Sequence, residues 1–281
     1  MPGTLFVVAT PIGNLEDITL RALRVLREAD VIAAEDTRRT ANLLAHYSIS
    51  TPTLSFHEHN TRTRIPQLLT RLEAGAGVAL VTDAGTPGIS DPGSELVAAC
   101  WEKGIAIDPV PGASAPVAAA VASGFPLLPL TIFGFVPSRA KDRQKWMLRA
   151  QAVEQTFTFF ETPHRILQTL SEISLCFGER PIFIAREMTK RHQQFINGTG
   201  ATIIGRLTTV KGEFTLVVGP AKEAKKDVPV VDDHRIFLEF GHITNLSGTG
   251  RRAAVSMIAK KYGLSAKNVY ATIERLKKSG V

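Results

Sequence analysis

Cysteine is scarce in this chain. Cys100 and Cys176 are the only two in 281 residues, and they stand far apart in neither a metal-binding nor a redox spacing. A disulfide framework is therefore excluded, and both thiols suit a reducing cytoplasm as small apolar side chains. No His, Cys and Asp cluster has zinc spacing, so no metal is expected. The phosphate-binding patterns GxxxxGK[ST] and GxGxxG are missing as well, and the first turn reads TPIGN. Neither a P-loop nucleotidase nor a standard dinucleotide dehydrogenase is favoured. Long hydrophobic runs are lacking too. The stretch between Asp108 and Arg139 has no charge, but Pro111, Pro116, Pro126, Pro129 and Pro137 break it, as do Gly112, Gly124 and Gly134. The pieces are too short to cross a bilayer. The start, MPGTLFVVAT, has no basic residue before its apolar run and reads as a first strand, not a signal peptide.

What is present is an ordinary globular composition, 44% hydrophobic and 21% charged, at a length that suits one large or two smaller domains. The net charge of +7 is unevenly spread. Residues 1–130 carry 9 Lys/Arg against 13 Asp/Glu, residues 131–231 carry 15 against 9, and residues 232–281 carry 9 against 4. A basic second half after an acidic first half suits a polyanionic partner such as nucleic acid, or simply a soluble basic surface.

Apolar runs at Leu5–Ala9, Val31–Ala34, Thr53–Phe56, Val78–Val81 and Ile105–Val110 predict strands. The segments between them, starting with a helix capped by Asp17 or Thr19, have helical spacing. Helices are expected at Thr37–His46, around Ile65–Leu72, at Ser94–Lys103 and at Ala113–Ala122. This alternation implies a largely parallel sheet covered on both faces, with ligands at the carboxyl ends of its strands. Beyond about residue 125 the pattern shifts to strands at 130–133, 156–160, 181–186, 193–197 and 214–218, a second α/β domain with a mixed sheet. Pro220–Val231 reads as a linker. A small helical unit follows: Arg251–Tyr262, a Gly263 stop, Ser265 as N-cap and Ala266–Lys278. The expected domains are 1–115, 116–220 and 232–281.

The loop after Val78–Val81 is the richest in chemistry. Thr82 to Gly93 reads TDAGTPGISDPG. Gly85, Gly88 and Gly93 let a ligand approach the main chain closely. Asp83 and Asp91 bring carboxylates, Thr86 and Ser90 hydroxyls, and two prolines limit flexibility. A plain turn needs nothing of this kind, so the loop is read as a ligand site. A cofactor with a cation and a hydrophobic ring, held by carbonyls and small residues, is compatible with it.

VATPIGNLEDITLRAL at 8–23, AEDTRRTANLL at 34–44, SFHEHN at 55–60, TDAGTPGISDPG at 82–93 and PGASA at 111–115 occur in order. FFETPHRI at 159–166, AREMTKRHQQF at 185–195 and KGEFTLVV at 211–218 follow. Over roughly residues 4–219 the chain closely resembles the ribosomal RNA small subunit methyltransferase I family. These are the 16S rRNA (cytidine-2′-O)-methyltransferases, of the tetrapyrrole-methylase-like class of S-adenosylmethionine enzymes. Ala9, Thr82 and Met188 depart from the family's usual glycine, serine and leucine. The resemblance implies two α/β domains with the cofactor in the cleft between them, and a homodimer. It also implies 2′-O-methylation of a decoding-region cytidine in 16S ribosomal RNA or the small subunit.

On matching positions the resemblance puts S-adenosylmethionine contacts at Pro11, Asp83, Gly85, Thr86, Gly88, Ile89, Ser114, Ala115 and Phe160. The free N–H groups where Ser114 and Ala115 start a helix suit an anionic end. Phe160 has two readings, a ring against adenine or a core filler. A ribose 2′-OH is a poor nucleophile when protonated, so a base or a stabiliser of developing alkoxide is expected. Glu35, Asp36, His57, Glu161, Glu187 and Lys190 are the candidates. Asp36 is preferred, with Lys190 if burial depresses its pKa; Glu161 and His57 follow. Each has the alternative of an ion pair or a helix cap. Arg38, Arg165 and Arg186 suit phosphates or pairing with those carboxylates. In the tail, Arg251, Arg252, Lys260 and Lys267 flank apolar Val255, Ile258, Tyr262, Val269, Ile273 and Leu276. This is either a helix-turn-helix RNA-binding unit or a helical cap with a solvated basic face. A tetrapyrrole-precursor methylase and a non-catalytic RNA-binding protein of the same fold are the rival readings.

Overall fold

Four-residue runs with no polar side chain, VIAA and VALV, are what a strand covered on both faces requires. In the computed structural model of the chain they become β2 (Val31–Ala34) and β4 (Val78–Val81), every residue buried. The structure describes residues 2–221, 232–246, 249–262 and 264–278. With β1 (Thr4–Val8), β3 (Thr53–Ser55) and β5 (Ala106–Val110), these strands form a sheet in the order β3-β2-β4-β1-β5. All its neighbouring pairs are parallel. Pro109, which cannot donate to a ladder, is tolerated because β5 is an edge strand. The helices between them are α1 (Leu20–Glu28), α2 (Thr37–His46), α3 (Thr61–Glu73), α4 (Ser94–Glu102) and α5 (Ala115–Ser123). Thr19 caps α1 by accepting from the Ala22 amide, and Asp17 instead ends a short 3-10 turn, Leu15–Asp17.

A second sheet follows, built from β6 (Leu130–Phe135), β7 (Thr156–Glu161), β8 (Ile182–Arg186), β9 (Gln194–Gly198) and β10 (Phe214–Val218). Its order is β6-β7-β10-β8-β9; only β6 and β7 run parallel, so the sheet is mixed as expected. Helices α6 (Ala140–Gln151), α7 (Ile166–Phe177) and α8 (Gly200–Arg206) cover one face through Trp146, Leu170 and Ile203. On the other face Ala119 of α5 packs against Phe183, Ala185 and Val217. Both sheets belong to one compact unit, Met1–Ala221.

Lys222–Val281 forms a second unit. Its helices are α9 (Asp233–Leu246), α10 (Arg251–Tyr262) and α11 (Ala266–Lys278). Val255, Ile258, Val269 and Ile273 close a small core, and Ile236 and Phe240 of α9 complete it. The linker expected at Pro220–Val231 lies almost wholly outside the described residues, as does the expected stop at Gly263.

Candidate functional site

Three loops leave the carboxyl ends of β1, β4 and β5 and are tied to one another. Thr10 and Gly85 exchange two backbone hydrogen bonds, at 2.9 and 3.0 Å. The Thr10 hydroxyl donates to the Thr82 carbonyl at 3.1 Å, and the Thr86 hydroxyl to the Ala113 carbonyl at 3.1 Å. Ala9 is buried, and a methyl group at Gly112 would sit 3.0 Å from its Cβ, so the first and third loops touch tightly. Pro11 is buried within this knot, and Ile89 is half-buried. Gly88 is exposed at φ +85°, with no atom within 4 Å of where a side chain would begin. Its backbone conformation is one that side chains resist, and it borders open space.

The second sheet closes the other side. Ser90, at φ +67°, lies against Gly134 of β6, where an added methyl would come within 2.8 Å of Ser90 Oγ. The Asn14 amide donates to Thr189 Oγ1 at 3.1 Å across to the turn between β8 and β9. Gly13 packs on the Lys190 side chain. Phe160 is absent from the buried core clusters; it is half-buried, its ring 5.2 Å from that of Phe135. Of its two readings, the core filler loses ground.

Carboxylates underlie the loop. Glu35 Oε2 accepts from the Thr82 hydroxyl at 2.6 Å and from the Asp83 amide at 3.2 Å. Asp83 in turn accepts from the Asp36 amide at 3.0 Å and faces Arg39 at 3.4 Å. Burial pushes the Asp83 carboxyl up, and the Glu35 charge adds to this. Asp91 is pushed up to about 6, mainly by burial, with a Thr82 hydrogen bond opposing and the Glu35 and Asp83 charges reinforcing. The backbone turns at the mouth of this site are thus fixed by side chains that directly follow β2 and β4.

Of the six proton-transfer candidates, Glu35 accepts from the Thr82 hydroxyl and Glu187 from Lys190, and the four preferred ones fare differently. Asp36 caps α2 by accepting from the Arg38 amide at 2.9 Å, and its carboxylate pairs with the Arg38 guanidinium at 3.0 Å. Those hydrogen bonds lower its pKa to about 2, which leaves little basicity. Lys190 is a correction to the expectation. Burial acts to depress its ammonium, but hydrogen bonds to Glu187 and Glu213, each at 3.0 Å, outweigh burial and raise its pKa. It stays charged and is no base. Glu161 is buried under four partners: the Thr162 amide at 2.7 Å, Thr169 Oγ1 at 2.6 Å, Arg165 at 2.8 Å and Arg143 at 3.6 Å. His57 is half-buried, with Nδ1 inaccessible and without a hydrogen-bond partner among the described residues.

Ser114 holds the N-cap position of α5 but makes no cap bond, and its Oγ is buried without a partner among the described residues. Ala115 begins the helix beside it. An orphan hydroxyl at a helix N-terminus, a glycine beside open space and hydrogen-bonding carbonyls fit a ligand with one charged end and one apolar ring. Among the described residues no group of three or more His, Cys, Asp or Glu can hold a metal. An open cavity of about 510 Å³ near Thr4, Arg24 and Asp30 lies at the amino ends of the first sheet. Its charged groups already have partners: Arg24 pairs with Glu28 at 3.0 Å, Asp108 with Arg21, and Asp30 accepts from the Gly77 amide.

Among the expected RNA contacts, Arg38 is exposed but bonded to Asp36, and Arg165 is committed to Glu161. Arg186 is spent on the Lys211 carbonyl at 2.6 Å. In the second unit Arg251 pairs with Glu274 at 2.9 Å. Arg252, Lys260 and Lys267 are exposed, with no ion pair among the described residues. Two parts of the site went unnoticed in the sequence, Phe135 and the Thr189 contact. A lone glycine inside the β6 pattern was the available signal for the first.

A family profile described as Tetrapyrrole (Corrin/Porphyrin) Methylases matches residues 4–204. A Synechocystis sp. protein named ribosomal RNA small subunit methyltransferase I is 42% identical over 99% of this chain and 100% of its own length. The chain belongs to the ribosomal RNA small subunit methyltransferase I family. A second member, from Thermotoga maritima, is 49% identical over 77% of this chain and 98% of its own length. The chain also shares its fold with a Thermus thermophilus uroporphyrin-III C-methyltransferase solved with S-adenyl homocysteine. That likeness has a TM-score of 0.54 and 18% identity, over 77% of this chain and 97% of the other. Among the described residues no helix is long and apolar enough to cross a membrane.

Proposed function

We propose that this chain methylates the ribose 2′-oxygen of a cytidine in the decoding region of 16S ribosomal RNA, with S-adenosylmethionine as donor. The observation that carries the reading is the knot of loops after β1, β4 and β5, with open space at Gly88 and an unpartnered Ser114 hydroxyl. It stands in a chain 42% identical to a relative of that name. The donor supplies a methyl group on a sulfonium, open to in-line displacement. Pro11, Asp83, Gly85, Thr86, Gly88 and Ile89 line its methionine side. Ser114 and Ala115 receive the anionic end at the start of α5, and Phe160 offers a ring to the adenine.

Positioning carries much of the rate, because holding an acceptor oxygen in line replaces a bimolecular encounter. Thr10, Thr82 and Glu35 act by fixing the loop. Lys190, held charged between Glu187 and Glu213 and packed on Gly13, braces the first loop against the turn after β8. Among the four preferred candidates the proton-accepting role is assigned to the half-buried ring of His57, through Nε2 since Nδ1 is inaccessible, because it is neither ion-paired nor capping a helix among the described residues.

The protein is assigned to the cytoplasm and to a homodimer as part of this reading. The second unit, with Arg252, Lys260 and Lys267 exposed, is assigned to RNA phosphates. A chain ending at Pro220 should then show a shallower salt dependence of RNA binding, and an unchanged slope would remove the tail from the interface. The reading as a whole is tested by incubating the full chain with radiolabelled donor and small subunits that lack the modification. Label on a ribose of the RNA supports it; label on a base, in protein or nowhere counts against it.

A further inference from the structure

Strand β6 carries one residue too many where it runs beside β7. Ile132 lies opposite Thr158 and Phe135 opposite Phe160, so three steps on β6 match two on β7. Gly134, at φ +70°, sits inside this bulge. In an unbroken strand Phe133 and Phe135 would face the same way. They do not. Phe133 packs into the outer core against Trp146 and Phe157, at 5.5 and 5.4 Å between ring centres. Phe135 meets Phe160, whose neighbours on β7, Phe157 and Phe159, belong to that outer core while Phe160 does not. The bulge has therefore turned Phe135 onto the face that α5 covers, a known use of bulges beside active sites.

Phe135 is 51% exposed, a large apolar ring held out of the core by a local distortion. It directly follows Gly134, the residue against which Ser90 of the glycine-rich loop is seated. The ring thus stands at the mouth between the donor loop and the second sheet. Arg139, at the N-cap of α6, and Lys141, in its first turn, follow in the chain, both exposed and without an ion pair among the described residues.

We propose that Phe135 is the platform on which the base of the acceptor nucleotide stacks, with Arg139 and Lys141 taking its flanking phosphates. This rests on the function proposed above. A nucleotide presented one at a time to a methyl donor loses its neighbours in the RNA stack, and an aromatic face replaces them. Stacking tolerates any base, so the ring sets the position of the acceptor, not its identity.

The test uses the full chain, with Phe135→Ala and Phe135→Trp. Methyl transfer to unmodified small subunits is followed together with donor affinity by calorimetry and association state by sedimentation. A second readout uses a single-stranded RNA carrying a fluorescent cytidine analogue whose emission falls on stacking. Phe135→Ala is expected to lower kcat/KM for the subunit roughly five- to 150-fold, the span of one lost base stack. Donor affinity and association state stay unchanged, Phe135→Trp restores the rate, and the analogue is quenched by the unaltered chain but not by Phe135→Ala. Unchanged kcat/KM overturns the proposal. So does a parallel loss of donor binding, which would place the ring against adenine, or a change in association state, which would place it between copies. Quenching without methyl transfer by the unaltered chain upholds the ring's role and overturns the assigned reaction.

Discussion

Glu161 offers the sharpest separation of structural from chemical roles. Its carboxylate is fully buried and holds two cations: Arg165 at 2.8 Å and Arg143 at 3.6 Å, the latter only 8% exposed. It also accepts from the Thr162 amide and the Thr169 hydroxyl. Replacing it by alanine strands Arg143 in the core and orphans two donors. Breaking a buried pair in this way costs about 3–5 kcal/mol. Arg143 keeps Glu172 at 2.7 Å, so a loss near about 3 kcal/mol is expected. Glu161→Gln preserves shape and hydrogen bonds and should lose less. Adding Arg143→Met to Glu161→Leu should recover much of the deficit, because an apolar pair needs no compensation. Urea denaturation followed by circular dichroism gives these differences. An alanine variant with an unshifted midpoint would refute the reasoning. A folded Glu161→Gln chain that loses the roughly hundredfold or more expected for a missing general base would refute it too.

Asp91 predicts a pH dependence. Its folded pKa of about 6 lies above the usual carboxylate value, so between about pH 4 and pH 6 the folded chain binds more protons than the unfolded one. Stability from this group is present at low pH and lost as pH rises through 6. Asp91→Asn should raise the thermal midpoint at pH 7.5, with the gain vanishing near pH 4; an equal gain at both would contradict the assignment. Asp36→Asn should cost far less activity than His57→Ala, since Asp36 is held ionised by Arg38. Single-turnover rates at saturating donor give the comparison, and the reverse order would return the base role to Asp36. Gly134→Ala forces a side chain at φ +70° and into Ser90, a strain of about 1–2 kcal/mol. Calorimetry should show weaker donor binding, which Ser90→Gly partly restores; unchanged binding would separate β6 from the loop.

Much of this architecture was legible in the sequence, for a physical reason. Strands such as VIAA and VALV are buried on both faces, and the loop after VALV concentrates glycine, proline and carboxylates as no plain turn needs to. Helix α9 was missed although Ile236, Phe240 and Ile243 recur at helical spacing, because Gly241 and the nearby polar residues weaken the pattern. The electrostatic state of Lys190 was out of reach. Burial can be guessed from an apolar neighbourhood, but its effect is reversed by two carboxylates together, Glu187 three residues away and Glu213 23 residues away. The outward turn of Phe135 depends on a register shift against β7 that only the folded sheet displays.

The proposed function requires the acceptor to be a ribose oxygen. Small subunits lacking the modification, incubated with isotopically labelled donor and the full chain, should be digested to nucleosides and resolved by mass spectrometry. The label is expected on the sugar fragment of a single cytidine. Label on the base fragment, or on no nucleoside at all, would contradict it.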